Sequence, residues 1–244
     1  MSINFRLYLS SIKWRAAKVA SNSVVGRLRP LARVRVGTSR VLEAVVDSRH
    51  RYVFILNPKV GSRSVCQVLG NFQTTRCLYL NASLARELKS SGFSFWAFFR
   101  DPYERALSCY NQKFNTKDPR VLGTHAAMGI QNDLNLEEFV NFIASIAGGD
   151  ISGDKHWVSQ SYLLTFAGQL EIDEINLLDF SRFSANLKKF SRSMYGAEVE
   201  VPRLLETEKS GNFTDSQLRI LNERYKEDVN LIESLRRRST SNSF

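Results

Sequence analysis

The segment 52–64 constrains the fold of this chain more strongly than any other. It joins an unbroken apolar run, YVFIL at 52–56, to the loop NPKVGSRS at 57–64, in which a proline and a glycine lie on either side of Lys59. The run is typical of a buried parallel strand, and VCQVLG at 65–70 can continue as a helix. A strand, a glycine-bearing loop and a helix N-terminus together form an anion site, because unpaired backbone N–H groups and the helix dipole favour negative charge there.

The loop differs from the Walker A loop of P-loop kinases and ATPases. It contains a single glycine, Gly61, and Lys59 precedes this glycine instead of following a second one. We therefore predict that the loop binds a phosphate-like group, with ATP a less favoured ligand.

The composition is that of one large domain with a sizeable core. The chain has 244 residues, of which 43% are hydrophobic, and this content suits a single α/β domain. No apolar run approaches the roughly 18–20 residues of a membrane-spanning helix. The cysteines Cys66, Cys77 and Cys109 lack the spacing of a metal site, so we interpret them as small buried residues and predict no metal.

The net charge of +10 is concentrated at the start of the chain. Residues 1–42 contain nine Lys or Arg and no Asp or Glu. We interpret 1–42 as a basic N-terminal extension, which either binds an anionic membrane surface as an amphipathic helix or forms a solvated or packed segment. An organelle transit peptide also fits. The apolar core of a signal peptide is missing, and nucleic-acid binding is not expected because aromatic stacking residues are few.

Strand and helix patterns alternate through a main domain, 43–235, which precedes a tail at 236–244 that we predict to be disordered. This alternation favours a parallel, doubly wound α/β sheet. Ligands of such sheets bind beyond the carboxyl ends of the strands. The loop at 58–64 and the turn at Arg100 both follow such ends, so we expect them on one rim. The predicted strands are 52–57, 76–80, 93–99 and 174–178, with 43–50 leading into the first, and the predicted helices are 65–70, 83–89 (capped from Asn81), 103–114, 136–147, 180–190 and 215–235 (capped by Thr214).

The segment FRDPYERALSCY at 99–110 is the second candidate anion site. Arg100 at the strand end can make two hydrogen bonds to one phosphate, and Ser108 adds a hydroxyl donor two helical turns later. Glu104 lies beside Arg105, which we interpret as its surface partner. Alone, an Arg-Asp-Pro turn is also a common structural turn. Together with the loop at 58–64 it suits a ligand with two phosphate-like groups.

The pair of motifs resembles the two signature motifs of PAPS-dependent sulfotransferases. PKVGSRS at 58–64 is followed about 40 residues later by FRDPYERALS at 99–108, and the pair is most similar to the carbohydrate O-sulfotransferases of the Golgi and their bacterial relatives. Supporting similarity covers about 190 residues from 52 onward. The resemblance implies a P-loop-type, three-layer α/β/α fold with a central parallel sheet. The supporting stretches are His156-Trp157 with Gln160, 178–190 and 223–228.

The resemblance also implies roles for the loop residues. The donor, 3′-phosphoadenosine 5′-phosphosulfate (PAPS), would have its 5′-phosphosulfate held by the loop and its 3′-phosphate by Arg100 and Ser108. Lys59 would neutralise the bridging oxygen of the leaving nucleotide, and no metal is needed. The other loop residues would contribute backbone N–H groups and hydroxyls: Val60, Gly61, Ser62, Arg63 and Ser64.

The chain departs from the family pattern in three respects. Arg63 stands where the loop usually carries Thr, and its role is left open. The paired cysteines near the His-Trp stretch of the Golgi members are absent, and we expect neither their membrane anchor nor their secretory signal. We therefore expect a relative of the bacterial type, cytoplasmic or attached peripherally to a membrane.

An acceptor hydroxyl needs a base near neutral pH, and histidine suits this task. We favour His156, which lies in the family-like stretch, over His125, which lies in a long polar segment. His50 precedes the first strand and is expected at the surface, and a carboxylate base stays open. Trp157 suits either stacking on a sugar ring or burial, and Lys209 suits either an approach to the nucleotide or exposure in a loop.

The sequence therefore predicts transfer of a sulfuryl group from PAPS to a hydroxyl of a carbohydrate or glycoconjugate. One alternative is a P-loop small-molecule kinase, which is disfavoured because the second glycine and the Lys-Ser/Thr pair of that loop are missing. The other is a non-catalytic basic protein that binds a membrane surface through 1–42, which leaves the paired anion motifs unexplained. The acceptor itself and the oligomeric state are not readable from the sequence.

Overall fold

The computed structural model of the chain describes residues 41–115, 121, 133–146, 149–151, 153–202 and 211–241, with the backbone alone from residue 238. Within these residues five strands form one sheet, namely β1 (Leu42–Asp47), β2 (Tyr52–Leu56), β3 (Thr75–Leu80), β4 (Ser94–Phe99) and β5 (Ile175–Asp179). Their order across the sheet is β3-β1-β2-β4-β5. The strands β2, β4 and β5 run parallel, whereas β1 is antiparallel to both of its neighbours.

The parallel part of the sheet is built from the most apolar runs of the sequence. β2 is buried along its whole length, and β4 is buried at Phe95 and throughout 97–99. Parallel strands are covered on both faces, which explains why they read as continuous hydrophobic runs. The four predicted strands are confirmed, and each observed boundary lies within one residue of its prediction.

The strand β1 corrects the prediction of a fully parallel sheet. The segment 43–50 is not a mere lead-in, because Leu42–Asp47 forms a strand between β2 and β3. The chain then reverses in a tight turn, where Asp47 Oδ1 accepts hydrogen bonds from the backbone N–H groups of Arg49 at 2.8 Å and His50 at 2.9 Å. Packing on both faces stabilises β1, since its central residues are at most 2% exposed (Ala44, Val45 and Val46).

Helices connect the strands and cover them. Two single-turn 3₁₀ helices, Ile172–Glu174 and Phe180–Arg182, lie before and after β5. The α-helices are α1 (Ser62–Leu69), α2 (Ala82–Ser90), α3 (Pro102–Lys113), α4 (Leu136–Ala144), α5 (Gln160–Leu164), α6 (Phe183–Tyr195), α7 (Asp215–Arg224) and α8 (Lys226–Ser241).

The helices lie on both faces of the sheet, so the described residues have the predicted three layers. On one face, α2, α5 and α8 pack in a core that includes Val53, Phe95 and Ile175 of the sheet. On the other face, α1 and α6 pack in a core that includes Phe54 and Phe98. Each large apolar side chain buried in this way contributes about 1.5–3 kcal/mol to folding.

A third core lies between α3, α4 and α7. It contains Cys109 of α3, Phe139 of α4 and Leu221 of α7, all fully buried. Trp157 packs in the same core, with its ring centre 6.0 Å from that of Phe114. The third core therefore holds α3, the helix that follows Arg100, together with the turn that carries His156.

Local capping signals in the sequence are confirmed, but the last predicted helix is wrong in its extent. Asn81 accepts a hydrogen bond from the Leu84 backbone N–H at 2.9 Å, and Thr214 forms a capping box with Gln217. The single helix predicted at 215–235 is divided at Tyr225 into α7 and α8. The phenol of Tyr225, at the break between α7 and α8, is buried and donates to the Trp157 carbonyl at 2.6 Å.

The helix α8 also continues beyond the predicted end at 235. Arg236, which the sequence assigns to the tail, is helical, and its Nη2 lies 3.3 Å from the Asp101 carboxylate. Residues 1–40, His125 and Lys209 lie outside the described residues, so the predictions made for them stay predictions. Among the described residues, no helix combines the length and the apolar character that a membrane crossing requires.

Candidate active site

The carboxyl ends of β2 and β4 meet at one rim of the sheet, and a buried glutamine joins them. Gln160, at the start of α5, is fully buried. Its Oε1 accepts from Asn57 Nδ2 at 3.0 Å and from the Arg100 backbone N–H at 3.1 Å, and its Nε2 donates to the Arg100 carbonyl at 2.7 Å. The two predicted anion motifs therefore start from neighbouring, mutually fixed strand ends.

The loop after β2 is shaped by two residues in the left-handed region. Lys59 has φ 67° and Gly61 has φ 64°. A Cβ on Gly61 would lie 2.7 Å from the Phe183 ring, so glycine is required both for conformation and for space. A non-glycine residue such as Lys59 in this region costs on the order of 1–3 kcal/mol.

The ammonium group of Lys59 is directed back onto α3. Its Nζ donates to the Ser108 carbonyl at 3.0 Å and to Gln112 Oε1. Burial, with the positive charges of Lys113, Arg105 and Arg100, lowers the pKa of Lys59 to about 8. Both acceptors are neutral, so an anion at this point would relieve a buried and uncompensated positive charge.

Arg100 brings the second motif onto the first. Its Nη1 donates to the Lys59 carbonyl at 3.2 Å, and its Nε lies 3.4 Å from the Glu104 carboxylate. The guanidinium also lies over the Phe180 ring, 5.0 Å from its centre. The expectation that the two motifs share one rim is therefore correct, and Lys59, Arg100 and Ser108 lie together.

The remaining loop residues differ in what they present. Val60 is buried, and Ser62 and Arg63 lie in the first turn of α1, where Arg63 is exposed. Ser64 is buried, and its hydroxyl donates to the Pro202 carbonyl at 3.0 Å. Roles of these residues in holding a donor stay predictions.

His156 forms a pair with Asp154 in the turn before α5. Asp154 Oδ1 accepts from the His156 backbone N–H at 2.9 Å and also contacts His156 Nδ1. Burial raises the pKa of Asp154, but the hydrogen bonds from His156 outweigh it and hold this pKa well below its usual range. An ionised carboxylate only accepts, so Nδ1 carries the proton and Nε2 carries the free lone pair.

The imidazole is neutral at physiological pH. Burial lowers the pKa of His156 to about 4, although Asp154 acts in the opposite direction. The side chain nevertheless keeps 23% of its surface exposed. His50 makes a similar contact, with Nδ1 3.0 Å from Asp47, but it precedes β2 and so lies at the amino ends of the parallel strands.

Arg105 contradicts the prediction of a surface partner for Glu104. It is 2% exposed, and all three of its guanidinium nitrogens donate to backbone carbonyls. Nε donates to Pro58 at 3.2 Å, Nη1 to Val158 at 2.7 Å and Nη2 to Lys155 at 3.0 Å. The helical period could have placed Arg105 inward, because it lies one helical turn before the apolar Cys109, but its carbonyl partners are distant in sequence.

The stretch 223–228, which resembles the sulfotransferases, contacts the segment that follows His156. Asp228 is fully buried and accepts from the backbone N–H groups of Gln160 at 2.7 Å and Ser161 at 2.9 Å, so it caps α5. Burial raises the pKa of Asp228. Trp157 is 4% exposed and is a core residue, which is the second of its two predicted roles.

Among the described residues, no group of three or more His, Cys, Asp or Glu side chains is arranged to hold a metal ion. The contacts of Gln112, Asp154 and Arg105 were not predicted from the sequence. A signal was present for Asp154, which lies two residues before His156, and for Gln112, which lies one helical turn after Ser108.

Comparison with known proteins agrees with the motifs. The model of the sulfotransferase family matches residues 42–233, from the start of β1 into α8, and this span includes both loops of the rim. Neither the curated proteins nor the solved structures gave a match. Since the family match covers well over half of its length, the chain belongs to the sulfotransferase family.

Proposed function

We propose that this sulfotransferase moves a sulfuryl group from PAPS to a hydroxyl of a carbohydrate or glycoconjugate. The observation that carries the proposal is the hydrogen bond from Arg100 to the Lys59 carbonyl, which keeps two cationic motifs on one rim. Arg105, which is buried and donates its hydrogen bonds to backbone carbonyls, adds positive charge to the same region. Such a group of cations suits a ligand with several negative charges, and PAPS carries a 3′-phosphate and, separately, a 5′-phosphate that ends in the activated sulfuryl group.

Lys59 would act at the leaving group. Transfer forms a bond from the acceptor oxygen to sulfur and breaks the bond from sulfur to the 5′-phosphate, so negative charge grows on the bridging oxygen. A buried ammonium beside that oxygen stabilises this charge more than it stabilises the ground state. Arg100 and Ser108 would hold the 3′-phosphate, and the backbone N–H groups of 61–64 would hold the 5′ end.

His156 would take the proton of the acceptor hydroxyl. Asp154 keeps the proton of the imidazole on Nδ1, so Nε2 is available as the base. The carbohydrate class of the acceptor and a contact of 1–42 with an anionic membrane surface rest on the family resemblance and on the charge of that segment. We propose a cytoplasmic protein with this peripheral contact.

Thermal unfolding tests the donor. The product nucleotide, 3′-phosphoadenosine 5′-phosphate (PAP), should stabilise the protein without metal, by about 2.7 kcal/mol at a hundredfold excess over Kd. This corresponds to a rise in Tm of roughly 5–10 °C for a chain of this size. Lys59→Ala and Arg100→Ala should each reduce the rise. Stabilisation by ATP with Mg²⁺ and none by PAP would favour the kinase alternative and refute the proposal.

Labelled PAPS tests the transfer. Incubation with cell-surface glycan extracts should label a glycan, and His156→Gln should abolish labelling while the PAP-induced rise in Tm is kept. Full labelling by His156→Gln would mean that another group is the base.

A further inference from the structure

Arg105 connects the donor loop to the turn of the proposed base. Its Nε holds the carbonyl of Pro58, the residue before Lys59. Its two Nη atoms hold the carbonyls of Lys155 and Val158, which lie on either side of His156. One rigid, planar group therefore determines the spacing between two segments that are about 100 residues apart in the sequence.

The charged side chain of Arg105 is buried, and its hydrogen-bond partners are neutral backbone carbonyls. Its side chain is 2% exposed, and in the described part of the chain no carboxylate forms an ion pair with it. Removing a charge from water costs several kcal/mol, and the buried carboxylate of Asp228, which interacts electrostatically with Arg105 without forming an ion pair, reduces this cost. Its charge acts on the site as well, because it contributes to the lowered pKa of both Lys59 and Arg100.

We propose that Arg105 is a positioning residue for sulfuryl transfer, which sets the distance between Lys59 in the donor loop and His156 in the acceptor-side turn. This role rests on the proposed function, because a fixed gap between the leaving group and the base matters only if a group is transferred in line between them. We therefore expect an anion that binds at the loop to change the environment of His156, because Arg105 connects the two segments.

Arg105→Lys tests this coupling. Lysine keeps the positive charge but can hold only one carbonyl at a time, so the loop and the turn become independent. The chain has three histidines, so a protein labelled in its histidine rings gives only three imidazole Cε1–H signals by NMR. The signals of His156 and His50 are assigned with His156→Gln and His50→Gln.

In the wild-type protein, titration with PAP should shift the His156 signal. In Arg105→Lys we expect the affinity for PAP to stay within about threefold, while the shift of the His156 signal falls to less than about a third. Two control variants should keep the full shift. Arg86→Lys makes the same exchange on the exposed face of α2, and Val140→Ala lowers Tm through the third core without touching Arg105.

A second measurement needs no ligand. The pKa of His156 depends on burial and on the charges of Asp154, Lys113 and Lys155. If Arg105 holds the turn, Arg105→Lys lets water reach His156, and the pKa of this imidazole rises from about 4 toward its ordinary value of about 6.5.

The outcomes separate the two proposals. If the wild-type protein binds PAP but its His156 signal does not move, or if Arg105→Lys keeps the full shift, the positioning role is refuted and the proposed function stands. If PAP does not bind, the proposed function fails. An unchanged pKa of His156 in Arg105→Lys would refute the positioning role of Arg105 independently of PAP binding.

Discussion

Raising the pH from about 7 to about 9.5 should weaken the binding of PAP through a single residue, Lys59. Burial and the charges of Lys113, Arg105 and Arg100 lower its pKa from 10.5 to about 8 in the folded protein. The difference between these values corresponds to roughly 3 kcal/mol. An anion placed beside the ammonium recovers part of this free energy, because it restores the charged form.

Proton linkage determines how the stability and the affinity for PAP change with pH. The folded-state pKa lies below the unfolded-state pKa, so the unfolded chain binds more protons between about pH 8 and pH 10.5, and the free energy of unfolding rises with pH across that window. Below about pH 8 the charged Lys59 destabilises the free protein fully. The PAP complex keeps its proton to higher pH, so the affinity should fall by up to about tenfold per pH unit above pH 8, or about 30-fold by pH 9.5.

Titration calorimetry measures both the affinity and the protons taken up, if each pH is repeated in two buffers of different ionisation enthalpy. Proton uptake should be near zero at about pH 7 and should approach about one per ligand above pH 8. The charge of PAP is nearly constant in this range, because the second pKa of a phosphate monoester is about 6. Lys59→Arg stays charged throughout and should give a flat profile.

A wild-type affinity that is flat from about pH 7 to pH 9.5 would contradict the role given to Lys59 in this pH dependence. The same fall in Lys59→Arg would contradict that role equally, since the titrating group would then lie elsewhere.

Three further predictions concern stability, and urea unfolding measures each. Gly61→Ala should cost about 2–4 kcal/mol, because a positive φ is combined with a clash at 2.7 Å, whereas Gly168→Ala, with positive φ in open space, should cost only about 1 kcal/mol. Equal losses would contradict the clash. Asp228→Ala should cost about 2–4 kcal/mol, because two buried backbone N–H groups lose their acceptor, and Asp228→Asn, which keeps one acceptor oxygen, should cost less. Arg236→Ala should cost less than about 1 kcal/mol, since its ion pairs are half exposed, and a larger loss would show that the end of α8 holds the rim in place.

Sequence alone determined the features that depend on near neighbours. The apolar runs of β2 and β4 are long enough to predict buried strands. The loop between β2 and α1 is predicted by Pro58, Gly61 and the hydroxyl residues that follow Gly61. The caps at Asn81 and Thr214 were also predictable, because a cap bonds to a backbone group three residues away. The paired motifs were enough to indicate the family that the later comparison confirmed.

Tertiary structure decided which of these elements meet. The strand β1 could not be distinguished from a lead-in, because its short run gains its strand conformation only when β2 and β3 pack on both sides. Arg105 had the local context of a surface residue beside Glu104, and only the approach of Pro58, Lys155 and Val158 gives it three buried acceptors.

The physical reason is the range of the interactions. Hydrogen bonds within one turn of a helix are determined by residues that are close in the sequence. Burial and buried hydrogen bonds depend on side chains that are far away in the sequence. The lowered pKa of Lys59 is the clearest case. Its place in the loop could be read from Pro58 and Gly61, but the burial and the cations that tune it exist only after β2, β4 and α3 have packed together.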